Sequence, residues 1–268
     1  MHNYDYHTHS LFSIDSETPL KTMLEAAIAL NLKEIAITDH CDFTWPIQKI
    51  LNPTFCFDKY CSIISELQIL YQEKINILLG CEMGIRDDLG DVIRNITSAY
   101  AFDFIIGSMH DVEASDFSTR EFFKTREKTA AYQEYFERML KAVQACDFDV
   151  LGHMDYIQRY ATYSDPTLHY ADYNEHIDAV LRLLISTNKG LEINTGSFNY
   201  GMNHPHPSFE IICRYRELGG EIITIGSDAH NPVRLGANFD KAAKLAMAAG
   251  FKYFAAFSKR EIKMLPLM

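Results

Sequence analysis

The chain has 268 residues, 47% of them apolar and 23% charged, with a formal net charge of −11. That is the composition of an ordinary globular protein with room for a substantial core. So acidic a balance argues against a broad nucleic-acid-binding face, because duplex affinity depends on neutralising phosphates with Lys and Arg; a small anionic substrate stays possible where bound cations invert the local charge.

The opening residues, MHNYDYHTHS, lack the charged and apolar regions of a signal peptide, and no uncharged run is long enough to cross a bilayer. The six cysteines are scattered without a C-x-x-C pair. A cytoplasmic protein with free, mostly buried thiols is therefore expected.

Along the chain, short runs rich in Ile, Val and Phe alternate with stretches of helical period. The runs predict strands at 3–9, 34–40, 75–84, 102–110, 148–155, 190–196 and 221–230. Between them, apolar residues recurring at three and four predict helices within 18–31, 57–74, 91–101, 124–146, 171–189, 208–220 and 233–250. Pro19 falls in the first turn of the first helix with Ser16 and Thr18 as candidate caps, and Gly250 marks the stop of the last. The tail KYFAAFSKREIKMLPL reads as one more strand and turn. Strand alternating with helix implies a parallel sheet with right-handed crossovers. Seven β/α units and an incomplete eighth favour a distorted (β/α) barrel over an open doubly wound sheet, with residues 1–268 as a single domain. No G-x-G-x-x-G follows a strand to suggest a dinucleotide fold.

The strand ends carry the chemistry. His7 and His9 sit two apart, one side-chain period along a strand, so both point to the same side. The second strand ends at Asp39 and His40, the third at Glu82, the fourth at His110, the fifth at His153 and the seventh at Asp228 and His230. Adjacent residues point apart, so only one of Asp39 and His40 can join the group. In parallel α/β folds the carboxyl ends of the strands share one rim, where active sites are built. Six of the eleven histidines therefore converge on one mouth, which points to metal ligation. The other five read otherwise: His2 lies near the terminus, His169 and His176 fall at or in a helix, and His204 and His206 flank prolines in a loop that could face a substrate. Imidazole and carboxylate without a thiolate set suit Zn, Mn or Fe. A bridging carboxylate such as Glu82 would let two metals sit about 3.5 to 4 Å apart, the separation at which they can clamp a phosphoryl group.

The stretches HTHS (7–10), ITDHCDF (37–43), GCEMG (80–84), GSMH (107–110), GHMDYIQRY (152–160), LEINTG (191–196) and GSDAH (226–230) resemble the polymerase and histidinol phosphatase superfamily, and within it the metal-dependent histidinol-phosphate phosphatases. The resemblance implies a distorted (β/α)7 TIM-like barrel with the metal site at the C-terminal ends of the strands and up to three divalent ions. It implies one metal on His7, His9, Glu82 and Asp228, a second on Glu82, His110 and His153, and a third on Asp15, His40 and His230. Many superfamily members have a histidine where this chain has Asp15. The implied activity is hydrolysis of L-histidinol phosphate to L-histidinol and phosphate in histidine biosynthesis, with Asp228 or His230 passing a proton to the leaving alkoxide. Arg159 is a candidate phosphate contact, because a guanidinium fork matches phosphate oxygens. Asp42 and Glu113 are candidates for the cationic end of the substrate, and Asn194 and Ser108 for orienting ligands.

Three rivals stand beside this reading. A phosphoesterase of the same superfamily acting on nucleotides or oligonucleotide ends shares the hardware, but the acidic balance and the long 111–147 segment favour a small, enclosed substrate. An amidohydrolase barrel also begins with a histidine pair, but no lysine ends the fourth strand. A metal-stabilised binding module without catalysis is disfavoured because every expected ligand is present.

Overall fold

A computed structural model describes residues 3–44, 49–112 and 115–267. All seven runs are strands: β1 (Tyr4–Thr8), β2 (Glu34–Ile37), β3 (Asn76–Gly84), β4 (Phe104–Ser108), β5 (Val150–Leu151), β6 (Gly190–Asn194) and β7 (Ile223–Gly226). They pair in parallel in chain order. The two residues His40–Cys41 extend the second position by pairing with β3 at Glu82 and Met83. At the rim the Asp228 N–H donates to the His7 carbonyl and the His9 N–H to the Ala229 carbonyl, both at 2.9 Å. These bonds tie the ends of β1 and β7 together, so the sheet is a nearly closed barrel and the open alternative is excluded.

β3 is buried along all but its first residue, as expected where helices cover a parallel sheet. The covering helices are α1 (Leu20–Ala29), α2 (Phe57–Tyr71), α3 (Gly90–Ala99), α4 (Lys128–Ala145), α5 (Tyr170–Ser186), α6 (Phe209–Glu217) and α7 (Phe239–Ala248). Two begin well inside their hydrophobic pattern. The 124–146 segment breaks before α4, where the Arg126 guanidinium packs 4.2 Å over Phe122 and donates to the Phe122 carbonyl and to Glu134. α7 begins only after Gly236 and Asn238, which hold φ of +64° and +62°, a conformation that Gly and Asn tolerate. No helix among the described residues is long and apolar enough to cross a membrane.

The candidate caps of α1 serve another purpose. Ser16 and Thr18 do not cap it; Pro19 holds the cap position without a side-chain bond. Both hydroxyls instead donate to the carbonyl of His230, at 3.0 and 2.9 Å. The loop after β1 is thereby fastened to the loop after β7.

The tail is not an eighth β/α unit but an antiparallel hairpin, β8 (Tyr253–Ser258) and β9 (Glu261–Pro266). Its turn residues Lys259 and Arg260 have φ of +50° and +64°, the tight geometry usually given to Asn and Gly. The strain is offset by docking: Arg260 binds Asp147 at 2.7 Å and Asp149 at 2.9 Å, and its N–H donates to the Asp103 carbonyl. These acceptors immediately precede β4 and β5, so the hairpin covers the N-terminal end of the barrel. Phe257 packs on Phe104 and Tyr6 there.

Candidate metal centre

All six expected histidines meet at the opposite end of the barrel, around Glu82. Its carboxylate is fully buried, and its two oxygens face different ligand sets. Oε2 lies 3.3 Å from His7 Nε2 and 3.6 Å from His9 Nε2. Oε1 lies 2.9 Å from His153 Nε2 and 3.3 Å from His110 Nε2. Asp228 Oδ1 completes the first set at 3.2 Å from His9 Nε2. Asp15 reaches His230 Nε2 at 3.0 Å and His40 Nε2 at 3.6 Å.

The backbone at two of these positions is held in the left-handed region, with φ of +26° at His153 and +55° at Asp228. Strain of this kind persists only where surrounding structure over-determines it. Gly226 serves the same centre by absence, because a Cβ there would lie 2.4 Å from the His7 Cβ.

Hydrogen bonds behind the rings set which nitrogen faces inward. His7 Nδ1 meets a Glu192 oxygen at 2.6 Å, and His110 Nδ1 meets Asp42 at 2.8 Å. A carboxylate only accepts, so each Nδ1 carries the proton. Ser13 already donates to Asp39, so its oxygen accepts from His9 Nδ1 at 2.9 Å. His230 Nδ1 donates to the Asp228 carbonyl at 3.0 Å. Each of these rings therefore presents an Nε2 lone pair to the centre, the usual arrangement behind a metal-ligating histidine.

What those lone pairs meet decides the fit. His7 Nε2, His9 Nε2, His40 Nδ1, His230 Nε2 and Glu82 Oε2 are all buried and crowd one another, yet among the described residues none makes a hydrogen bond of acceptable geometry. Buried polar atoms without partners are costly and rare. A cluster of five, all nitrogen and carboxylate donors, is explained by divalent cations, and ligand atoms of His7, His9 and Glu82, of Glu82, His110 and His153, and of His9, His40 and His230 converge as overlapping triads.

In the protein alone, protons stand in for that charge. Burial lowers His7, but Glu192, Glu82 and Asp228 outweigh it and hold the ring well above its ordinary range. Burial likewise opposes, and Asp42 with Glu82 overcomes, at His110, which is brought to about 10. His9 goes the other way, pushed down to about 3 by burial and by the charges of His230 and His40. Glu82 and Asp228 are held well below the carboxylate range by the surrounding imidazoles, against their burial.

Of the pair Asp39 and His40, only His40 joins the centre, with Nδ1 2.7 Å from Glu82. Asp39 points away and accepts from the N–H and hydroxyl groups of both Ser10 and Ser13, clamping the loop after β1. Asn194 sits behind His7, 3.4 Å from its Nδ1, and donates to Glu192. Ser108 has a buried hydroxyl that makes no hydrogen bond among the described residues. His206 is buried and bonded to Asp155, whereas His176 is partly exposed near Glu137. Glu113 and His2 lie outside the described residues.

A cleft of about 430 Å³ opens over the centre, lined by His40, His110, Asp42, Tyr156 and Tyr160 on the ligand side and by Asp111 and Asp116 further out. Tyr156 stacks on His153 with ring centroids 4.6 Å apart. Arg159 follows it, with its guanidinium against Tyr156, Tyr160 and Tyr200 and no carboxylate partner among the described residues. Sequence reasoning missed Glu192, which both orients His7 and accepts from the His153 N–H at 3.0 Å. The available signal was its spacing: Glu192 and Asn194 stand two apart at a strand end, as His7 and His9 do.

Residues 5–196 match the family profile described as the PHP domain. The chain belongs to the PHP-domain family. The Histidinol-phosphatase of Lactococcus lactis subsp. lactis is 35% identical to this PHP-domain chain over 98% of its length and 97% of the relative's. The crystal structure of histidinol phosphate phosphatase from the same organism, complexed with zinc, L-histidinol and phosphate, superposes with a TM-score of 0.87 at 33% identity, covering 98% of this chain and 99% of that one. A Listeria monocytogenes structure shares the fold at a TM-score of 0.77 and 17% identity, over 89% of this chain and 99% of the other.

Proposed function

We propose that this chain is a divalent-metal-dependent histidinol-phosphatase, hydrolysing L-histidinol phosphate to L-histidinol and phosphate in histidine biosynthesis. The observation that carries the reading is the set of orphaned buried ligand atoms around Glu82, in a barrel that aligns end to end with an enzyme holding zinc, L-histidinol and phosphate. The whole of residues 1–268 acts as one catalytic domain. Its free cysteines suit a reducing compartment, and we place the protein in the cytoplasm.

In this reading His7, His9, Glu82 and Asp228 hold one cation, Glu82, His110 and His153 a second, and Asp15, His40 and His230 a third. Zinc, manganese and iron all suit these donors. Bound cations supply positive charge to the phosphate oxygens and lower the pKa of a water that attacks phosphorus. The protein supplies position. Glu82 fixes the spacing of two sites through its separate oxygens, and Glu192, Ser13 and Asp42 fix the rings. Arg159 offers its unpaired guanidinium to the phosphate. Asp228, whose Oδ2 has only a long contact to Asn194 among the described residues, is placed to pass a proton to the leaving alkoxide, with His230 as the alternative. Asp42 and Glu113 remain the candidates for the cationic end of the substrate.

The test is phosphate release by metal-reconstituted protein from L-histidinol phosphate, beside nucleotides, sugar phosphates and p-nitrophenyl phosphate, with and without chelator. Chelator-sensitive turnover that strongly favours L-histidinol phosphate is the expected result. Better turnover of another monoester would move the substrate and leave the hydrolytic centre standing.

A further inference from the structure

Most arginines of this acidic chain hold a carboxylate: Arg86, Arg126, Arg214 and Arg260 each pair with one at 3.2 Å or less. Two on the loops that follow the ligands His153 and His230 do not. Arg159 has its guanidinium carbon 3.3 Å from the centroid of the Tyr200 ring, and Arg234 lies 5.4 Å from the same centroid and donates to the Tyr200 hydroxyl at 3.3 Å. Among the described residues neither has an ion-pair partner.

The three residues come from three strand-end loops. Arg159 follows His153 by six residues, Tyr200 follows Asn194 by six, and Arg234 follows His230 by four. The stack continues inward, since Arg159 also faces Tyr156 and Tyr156 lies on the ring of His153. At its outer end Tyr200 is 47% exposed. An aromatic face attracts a guanidinium, but two like charges drawn to one ring repel each other unless an anion lies between or beside them.

We propose that Arg159 and Arg234, gathered on Tyr200, form a two-arginine capture site for the phosphate dianion of the incoming monoester, with Arg234 as its outer member. Among the described residues, the contacts of the Arg234 guanidinium are to Tyr200 and not to the metal ligands. Arg234 draws the anion to the mouth of a protein whose net charge of −11 otherwise repels it, and Arg159 receives it further in. Inorganic phosphate, the product, binds the same pair. The inference rests on the phosphatase reading for its substrate and on the local geometry for its anion site.

The test uses the metal-loaded enzyme and inorganic phosphate as a competitive inhibitor of p-nitrophenyl phosphate hydrolysis, beside KM and kcat for L-histidinol phosphate. Arg234→Gln is expected to weaken phosphate inhibition and raise KM by about fivefold to tenfold with kcat within about twofold, as befits a rim charge that acts on capture. Arg234→Lys recovers most of the loss because the charge returns. Tyr200→Leu, which removes the ring and hydroxyl that gather the two guanidiniums, resembles Arg234→Gln. Raising ionic strength erodes kcat/KM more in the wild type than in Arg234→Gln. An unchanged phosphate inhibition constant in Arg234→Gln, or equal losses in Gln and Lys variants, overturns the proposal. If L-histidinol phosphate proves a poor substrate while phosphate inhibition still depends on Arg234, the capture site stands and the substrate assignment falls.

Discussion

At the scale of single residues, Asp42 shows how a group expected to touch substrate can acquire another duty. Its Oδ1 accepts from His110 Nδ1, and its carboxyl is held below the usual range, against burial, mainly by the His110 charge. Removing such an orienting partner typically costs 10–100-fold in metal affinity or activity. Asp42→Ala should therefore weaken metal binding by about that factor in a metal titration, and Asp42→Asn, which keeps an acceptor oxygen, should recover part of it. Full metal loading with only a raised KM for L-histidinol phosphate would return Asp42 to the role of substrate contact. The histidine pair at 7 and 9 was legible because period two along a strand is a local rule. Glu192 was not, because an acid inside an apolar strand gives no local sign of the partner, 185 residues away, that makes its burial tolerable.

At the scale of elements, periodicity located all seven barrel strands and their helices, yet it misread the tail and the caps of α1. Ser16 and Thr18 were free to cap a helix in sequence terms, but the carbonyl of His230, more than 200 residues on, accepts from both. The hairpin gives a test at this scale. Arg260 hydrogen bonding draws the Asp147 carboxyl down to about 2. An acid lowered on folding contributes stability that is present above its unfolded value, near 3.9, and lost as pH falls through the folded value. Arg260→Ala should cost about 1 kcal/mol near neutrality, a figure already reduced for the solvent exposure of the pair. The difference in unfolding midpoint should shrink as pH falls from about 4 to about 2. A difference that persists at the acid end would mean that the turn geometry, not the ion pair, holds the hairpin.

For the whole molecule, the metal centre and the core occupy separate regions: the ligands gather at one rim, and apolar packing lies between strands and helices and under the hairpin. Metal removal should leave a folded protein with a lower Tm. Readdition of zinc or manganese to about a hundred times its dissociation constant should restore about 2.7 kcal/mol per site, read by calorimetry or thermal melts. Loading should also release protons, because His7, His40 and His110 are held above their ordinary range by neighbouring carboxylates, against burial, and a ligand must shed its proton. Apparent affinity therefore falls as pH falls. Titration calorimetry in buffers of different ionisation enthalpy would show no buffer dependence if those rings were already neutral.

Sequence alone determined the class of chemistry and the architecture, since strand-end position is a property of local pattern and parallel strands must place their carboxyl ends on one rim. It also placed six histidines there before any contact was known. Only the tertiary structure decided which atoms face inward, that Glu82 divides its oxygens between two ligand sets, and that Arg159 and Arg234 meet on one tyrosine. These outcomes depend on ring orientation and on pairing between loops far apart in sequence, which a one-dimensional pattern does not encode and burial of polar groups enforces.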